Sequence, residues 1–103
     1  MALVFYGVAA GPWCGPAHVT GYVRGTGNPH TADGTSIYTG EPIVAASYDV
    51  AMGATVEIEG VGTFRVADRG MLGNGHPVTN IDVAVWTHSE AYALTGEYQI
   101  CVR

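Results

Sequence analysis

Two aspartates, Asp68 and Asp82, are the side chains whose sequence settings best suit chemistry. The stretch Phe64-Arg65-Val66-Ala67-Asp68-Arg69-Gly70 runs apolar and ends on Asp-Arg-Gly, which sets a carboxylate at the end of a buried strand. Partial desolvation there raises a carboxyl pKa, and Arg69 opposes the rise if its guanidinium comes close. The chain then loops through His76 and returns as Asn80-Ile81-Asp82-Val83, a second strand with a second carboxylate. Paired carboxylates are the equipment of glycoside cleavage. The competing reading makes Asp68 a turn residue that bonds its own backbone before Gly70.

Other chemistries find less support. The histidines His18, His30, His76 and His88 show no metal-site spacing, and Cys14 with His18 lacks a second pair, so no metal and no cofactor is expected. Ser36, Ser47 and Ser89 sit in unrelated contexts with no nucleophile-elbow motif. Gly70, Gly73 and Gly75 lack the lysine and the following helix of a phosphate loop.

These residues need a scaffold, and 103 residues supply one domain, 1–103. Glycine and proline punctuate the chain every five to eight residues, the spacing of short strands and turns. The expected strands are Leu3–Val8, His18–Val23, Ile43–Ser47, Thr55–Ile58, Gly62–Ala67, Ile81–Val85 and Tyr98–Val102. A helix over Ser89–Thr95 is signalled by Thr87 and Glu90, a capping-box pair, and ended by Gly96. Two long segments, Arg24–Gly40 and Gly70–Asn80, are rich in loop residues and are where function is expected to sit. Arg65, between Phe64 and Val66, is expected to point outward to solvent.

Charge limits the partners. The net charge is −5, the cations are four arginines and no lysine, so a counterion-displacing surface for nucleic acid is excluded. No apolar run approaches a membrane span. Met1–Ala10 is apolar but lacks a basic start, so no signal peptide is expected. Cys14 and Cys101 lie near opposite ends and are read as a disulfide tying the first strand to the last, with two buried thiols as the alternative. A disulfide implies an oxidising site of action, so an extracellular, cell-envelope or virion location is expected.

Five short motifs in order carry a resemblance. Thr31-Ala32-Asp33-Gly34, Val44-Ala45-Ala46-Ser47, Met52-Gly53-Ala54-Thr55-Val56, Val66-Ala67-Asp68-Arg69-Gly70 and Ile81-Asp82 resemble the double-psi β-barrel domains of the rare lipoprotein A family. The likeness runs from about Thr20 to the C-terminus, which leaves 1–19 as an N-terminal strand or extension and 20–103 as the barrel. From Ile81 to Gly96 the chain is more similar to the 3D domains related to membrane-bound lytic transglycosylase A. The resemblance implies a mainly-β fold, a six-stranded double-psi barrel with one short helix near the C-terminus. It also implies peptidoglycan glycan strands as partner, cleaved without water to leave a 1,6-anhydro end.

Carried across by position, Asp68 matches the catalytic acid and Asp82 a supporting carboxylate. Thr31, Ser47, Tyr48, Asp49, Arg69 and His76 are the accompanying substrate-binding candidates. The chain departs from the pattern at Ser47 and Thr35, where the family has histidine and glutamate, and Glu41, His76 or His30 are candidate replacements. A lytic transglycosylase tolerates a single acid, because the sugar's own 6-hydroxyl is the nucleophile. That acid must be protonated near neutral pH, through burial or a like charge such as Asp82.

Trp13, Tyr22, Tyr38, Tyr48 and Trp86 offer flat faces for a glycan groove. The competing reading places Trp86 and Tyr92 in the core. Expansin-like barrels are a precedent for the fold without turnover. The alternative function is therefore a non-catalytic glycan-binding or virion and tail structural barrel, with other cell-wall or virion proteins as partners.

Overall fold

The structure, a computed structural model, describes residues 12–69 and 79–103. The expected strand Leu3–Val8 and the site candidate His76 lie outside the described residues.

Six strands close a barrel: β1 (Trp13–Val23), β2 (Ile43–Ala46), β3 (Thr55–Ile58), β4 (Gly62–Asp68), β5 (Thr79–Val85) and β6 (Gly96–Val102). Around the ring the order is β1-β5-β2-β4-β3-β6, with β6 returning to β1. The pairs β1–β5 and β2–β4 are parallel and the others antiparallel. Alternation along each strand sends one set of side chains inward. Val19, Val44, Val56, Ile58, Val66, Ile81, Val83 and Ile100 fill the interior and are at most 2% exposed.

β1 starts earlier than Gly15-Pro16 leads one to expect. Among the described strands, residues 13–16 pair with β6 alone, 17–19 with both β6 and β5, and 20–23 with β5 alone. Pro16 therefore sits on a stretch with one open edge, where its missing N–H breaks no ladder bond on that side. Cys14 faces Cys101 in this register and the two form a disulfide. The β3–β4 hairpin turns as its sequence indicates, with Gly60 at φ 79° and the Val61 N–H donating to Ile58 O at 2.9 Å.

The helix α1 (His88–Leu94) is capped as its sequence requires. Thr87 Oγ1 accepts the Glu90 N–H, and Glu90 Oε1 accepts from Thr87 N and Trp86 N. α1 packs against β1 at Gly21, where any Cβ would stand 2.8 Å from Ala91 Cα. Gly21→Ala is expected to push the helix off the strand and destabilise the protein by about 1–3 kcal/mol, measured by urea denaturation. The expected core placement of Trp86 and Tyr92 is corrected. Tyr92 is 79% exposed, because Ala91 is the α1 residue that faces the barrel, and Trp86 is 52% exposed, because it continues the outward parity of β5.

Candidate functional site

A bulge determines where Asp68 points. β2 and β4 pair as Val44↔Val66 and then Ala45↔Asp68, with a register shift between them. Without that shift Asp68 would share the parity of Val66 and point into the core. The extra residue, Ala67, turns the carboxylate out to the barrel's outer face. On the other side of β2, Ala45 pairs with Asp82, and Asp82 pairs with Thr20 of β1. One row across the outer face thus reads Thr20, Asp82, Ala45, Asp68. The two aspartates lie two strand spacings apart, about 10 Å at the backbone.

Above this row Tyr22 packs with the outward-facing Ile43, Ala67 and Ala84. The Tyr22 hydroxyl is buried and has no hydrogen-bond partner among the described residues. Burial, and next the Asp68 carboxylate, push its pKa up to about 12, with a smaller push from Asp82. A pocket of about 170 Å³ opens over it, lined by Tyr22, Thr26, Asn28, Ile37 and Asp68. A shallower depression between β1 and α1 continues along Thr20 and Tyr22 to His88 and Tyr92. The site is a groove with α1 on one side and the loop 24–42 on the other.

The carboxyls differ in setting. Burial raises the Asp82 pKa, partly offset by the Thr20 hydroxyl, which donates to its Oδ1 at 2.9 Å. Asp68 Oδ1 accepts the N–H of Ala32 at 3.0 Å and of Arg69 at 2.8 Å. The turn reading of Asp68 therefore holds in part, and the same oxygen also ties down the loop across the groove.

Four further candidates serve the frame. Thr31 is buried and donates to Asp33 Oδ1 at 2.7 Å. Ser47 is buried, donates to Asp49 Oδ1 at 2.5 Å and accepts the Asn80 N–H at 3.0 Å. Asp49 also accepts from the Thr79 hydroxyl. Arg69 Nη1 donates to the carbonyls of Ala46 and Ser47 at 3.1 and 2.7 Å. Tyr48 lies on that guanidinium, 5.3 Å from the ring centroid, and is 68% exposed.

Arg65 departs from its expected role as a solvent-facing residue. Its guanidinium pairs with Asp33 at 2.6 Å and Glu41 at 2.7 Å, and Nη2 donates to Thr35 Oγ1 at 2.9 Å, so it staples the loop to β4. These bonds hold the Asp33 and Glu41 carboxyls below their ordinary values; for Asp33 the Thr35 hydroxyl is the largest contributor. Thr35, at the family's glutamate position, thus completes a loop staple.

Two positions of the candidate site, Thr20 and Arg24, escaped the sequence reading, which took Tyr22 only as a flat ring. Thr20 could have been found as the same-face neighbour of Tyr22, two residues away on β1. The unpartnered state of the Tyr22 hydroxyl and the burial of Arg24 depend on long-range packing. Arg24 donates to Ile37 O at 2.9 Å and Glu41 O at 2.6 Å, and lies 4.8 Å from the Trp86 ring centroid. Among the described residues no three His, Cys, Asp or Glu side chains come together as a metal would require. Another depression, about 530 Å³, lies between the β3–β4 turn and β6, away from the aspartates.

No family model and no curated protein sequence matches the chain. Two solved structures are similar in fold. One is an apo expansin from Clavibacter michiganensis, at TM-score 0.53 and 21% identity. The other is an aspartate-to-asparagine variant of the Clavibacter michiganensis expansin in complex with cellohexaose, at TM-score 0.53 and 20% identity. Each match covers 88% of this chain and 50% of the expansin chain, so this chain spans about half their length. With the closed six-stranded barrel and one short helix of its described residues, the chain takes the double-psi β-barrel fold that these expansins contain.

Proposed function

We propose that the chain is a glycan-binding barrel that holds a neutral polysaccharide strand in the groove over Tyr22 without cleaving it. The observation that carries this reading is the Tyr22 hydroxyl, buried near Asp68 and Asp82 without a partner among the described residues. A buried hydroxyl without a bond is costly, and a ligand that supplies the missing bond recovers that energy. Carboxylates accept from sugar hydroxyls, and a carboxylate accepts but does not donate when ionised. Anionic ligands are disfavoured at the same place by the two like charges. The solved expansin complex with cellohexaose supports a polysaccharide as the ligand class on this fold.

Tyr22→Phe gives two readouts of opposite sign. Removing the orphaned hydroxyl is expected to stabilise the free protein by about 1 kcal/mol. Retention on cellulose, chitin or peptidoglycan sacculi is expected to fall about five- to tenfold, since one hydrogen bond to the glycan is lost. Unchanged retention with a raised melting temperature would overturn the reading.

A second reading, lytic transglycosylase action on peptidoglycan with Asp68 or Asp82 as acid, is favoured by one observation. Burial keeps the Asp82 carboxyl protonated to higher pH than usual, as a general acid requires. Its activity would then be lost as pH rises through the raised Asp82 pKa. Mass spectrometry of digested sacculi separates the two readings. Anhydro-ended fragments from wild type that vanish with Asp82→Asn or Asp68→Asn would establish cleavage, and the binding reading expects none.

A further inference from the structure

Two exposed aromatic rings, one on either side of the carboxylate row along the strands, are built in the same way. Trp86 shares the outward parity of Asp82 and Ala84 and follows β5 at its C-terminal end. Arg24, itself 7% exposed and anchored on the Ile37 and Glu41 carbonyls, lies against one face of the indole, which is still 52% exposed. Tyr48 follows β2 at its C-terminal end. Arg69, anchored on the Ala46 and Ser47 carbonyls, lies against one face of the phenol ring, which is still 68% exposed. In each case a guanidinium fixed by backbone acceptors holds the ring from one side and leaves the other side to solvent.

The strand register gives the separation. β2 and β5 are antiparallel, with Ala45 opposite Asp82, so moving from Ala45 to Tyr48 and from Asp82 to Trp86 goes in opposite directions. Tyr48 stands in the turn after β2 and Trp86 in the bend after β5, three residues beyond Ala45 and four beyond Asp82, so the rings flank the carboxylate row from opposite sides, with at most about 23 Å of backbone between them along the strands. A glycan of several sugars can span that distance. Ring faces that are apolar, flat and held in place suit pyranose faces, whose axial C–H bonds are apolar while their hydroxyls project at the edges. A chain linked through equatorial bonds keeps those faces aligned along its length.

We infer that Trp86 and Tyr48 are terminal stacking subsites for a linear β-1,4-linked glycan, with Asp82, Tyr22 and Asp68 contacting the hydroxyls of the sugars between them. This rests on the glycan-binding reading above and adds to it a ligand length and two specificity residues. Titration calorimetry with cellobiose through cellohexaose, and with the matching N-acetylglucosamine oligomers, tests it on wild type, Trp86→Ala, Tyr48→Ala, and the ring-retaining Trp86→Phe and Tyr48→Phe. Wild-type affinity is expected to climb with chain length until both rings are spanned. Each alanine variant is expected to lose about five- to tenfold on the hexamer of the better-bound series and to keep wild-type affinity for its dimer. The phenylalanine variants, which keep a ring on each arginine, are expected to retain most of the hexamer affinity. Hexamer affinity unchanged in both alanine variants would overturn the two stacking subsites while leaving the groove reading in place. No binding of any oligomer by wild type would remove the groove reading and this inference with it.

Discussion

Replacing Cys14 and Cys101 by alanine is expected to lower the stability of the barrel by about 4–5 kcal/mol. The cysteines are 87 residues apart, so their bond closes nearly the whole chain into one loop, and in the chain-entropy account a loop of that size removes about this much freedom from the unfolded ensemble. A domain of this length has a total stability of about 5–15 kcal/mol, so the variant stands near the edge of folding at body temperature. Guanidinium denaturation of the oxidised protein against the double variant measures the difference directly. The position matters as much as the loop length. The bond joins β1 to β6, the pair through which the first and last described strands close the ring. A change under 1 kcal/mol would mean that the β1–β6 ladder holds the closure unaided.

The second large effect is expected at Arg24. Its guanidinium reaches from the end of β1 under the loop 24–42, and its two carbonyl acceptors, Ile37 and Glu41, lie 13 and 17 residues further along. Arg24→Ala removes two charge-assisted bonds and the support beneath Trp86, relieved only by the loss of a buried Nε that has no partner. A net loss of about 2–4 kcal/mol follows from hydrogen bonds of this class. Arg65→Ala breaks the other staple, but that side chain is 34% exposed and its ion pairs are screened, so its effect should be about 1 kcal/mol or less. Amide exchange reads the difference residue by residue. In Arg24→Ala the Ile37 and Thr31 amides, which donate to Pro29 O and Thr35 O, are expected to exchange far faster while the β4 and β5 cores stay protected.

Much of this architecture can be read from local sequence, because the signals are local. Alternation through Val56–Ile58 and Phe64–Val66 gives the β3–β4 hairpin, and Thr87 with Glu90 gives the start of α1. Motif order then points to the double-psi barrel. The reading fails where partners distant in sequence decide. Pro16 is tolerated in β1 because only β6 pairs with it there. Tyr92 is exposed because Ala91, the residue before it, takes the inward position on α1. The site was legible as two aspartates on adjacent segments of a fold motif. The bulge that turns Asp68 outward, Thr20 beside Asp82, and the isolation of the Tyr22 hydroxyl each follow from strand register, which alternation within one strand does not encode.

All four arginines have partners inside the molecule. Arg24 and Arg69 are anchored on carbonyls, Arg65 on Asp33 and Glu41, and Arg103 on Glu57 at 2.9 Å. With no lysine in the chain, every arginine engaged and a net charge of −5, the protein has little to draw it toward a surface of its own sign. Bacterial walls rich in phosphate or uronate polymers would therefore repel it at long range. Dissolved salt, by shortening that repulsion to within about 10 Å at 0.1 M, should strengthen adsorption to such walls, the opposite of what a cationic wall-binding protein shows.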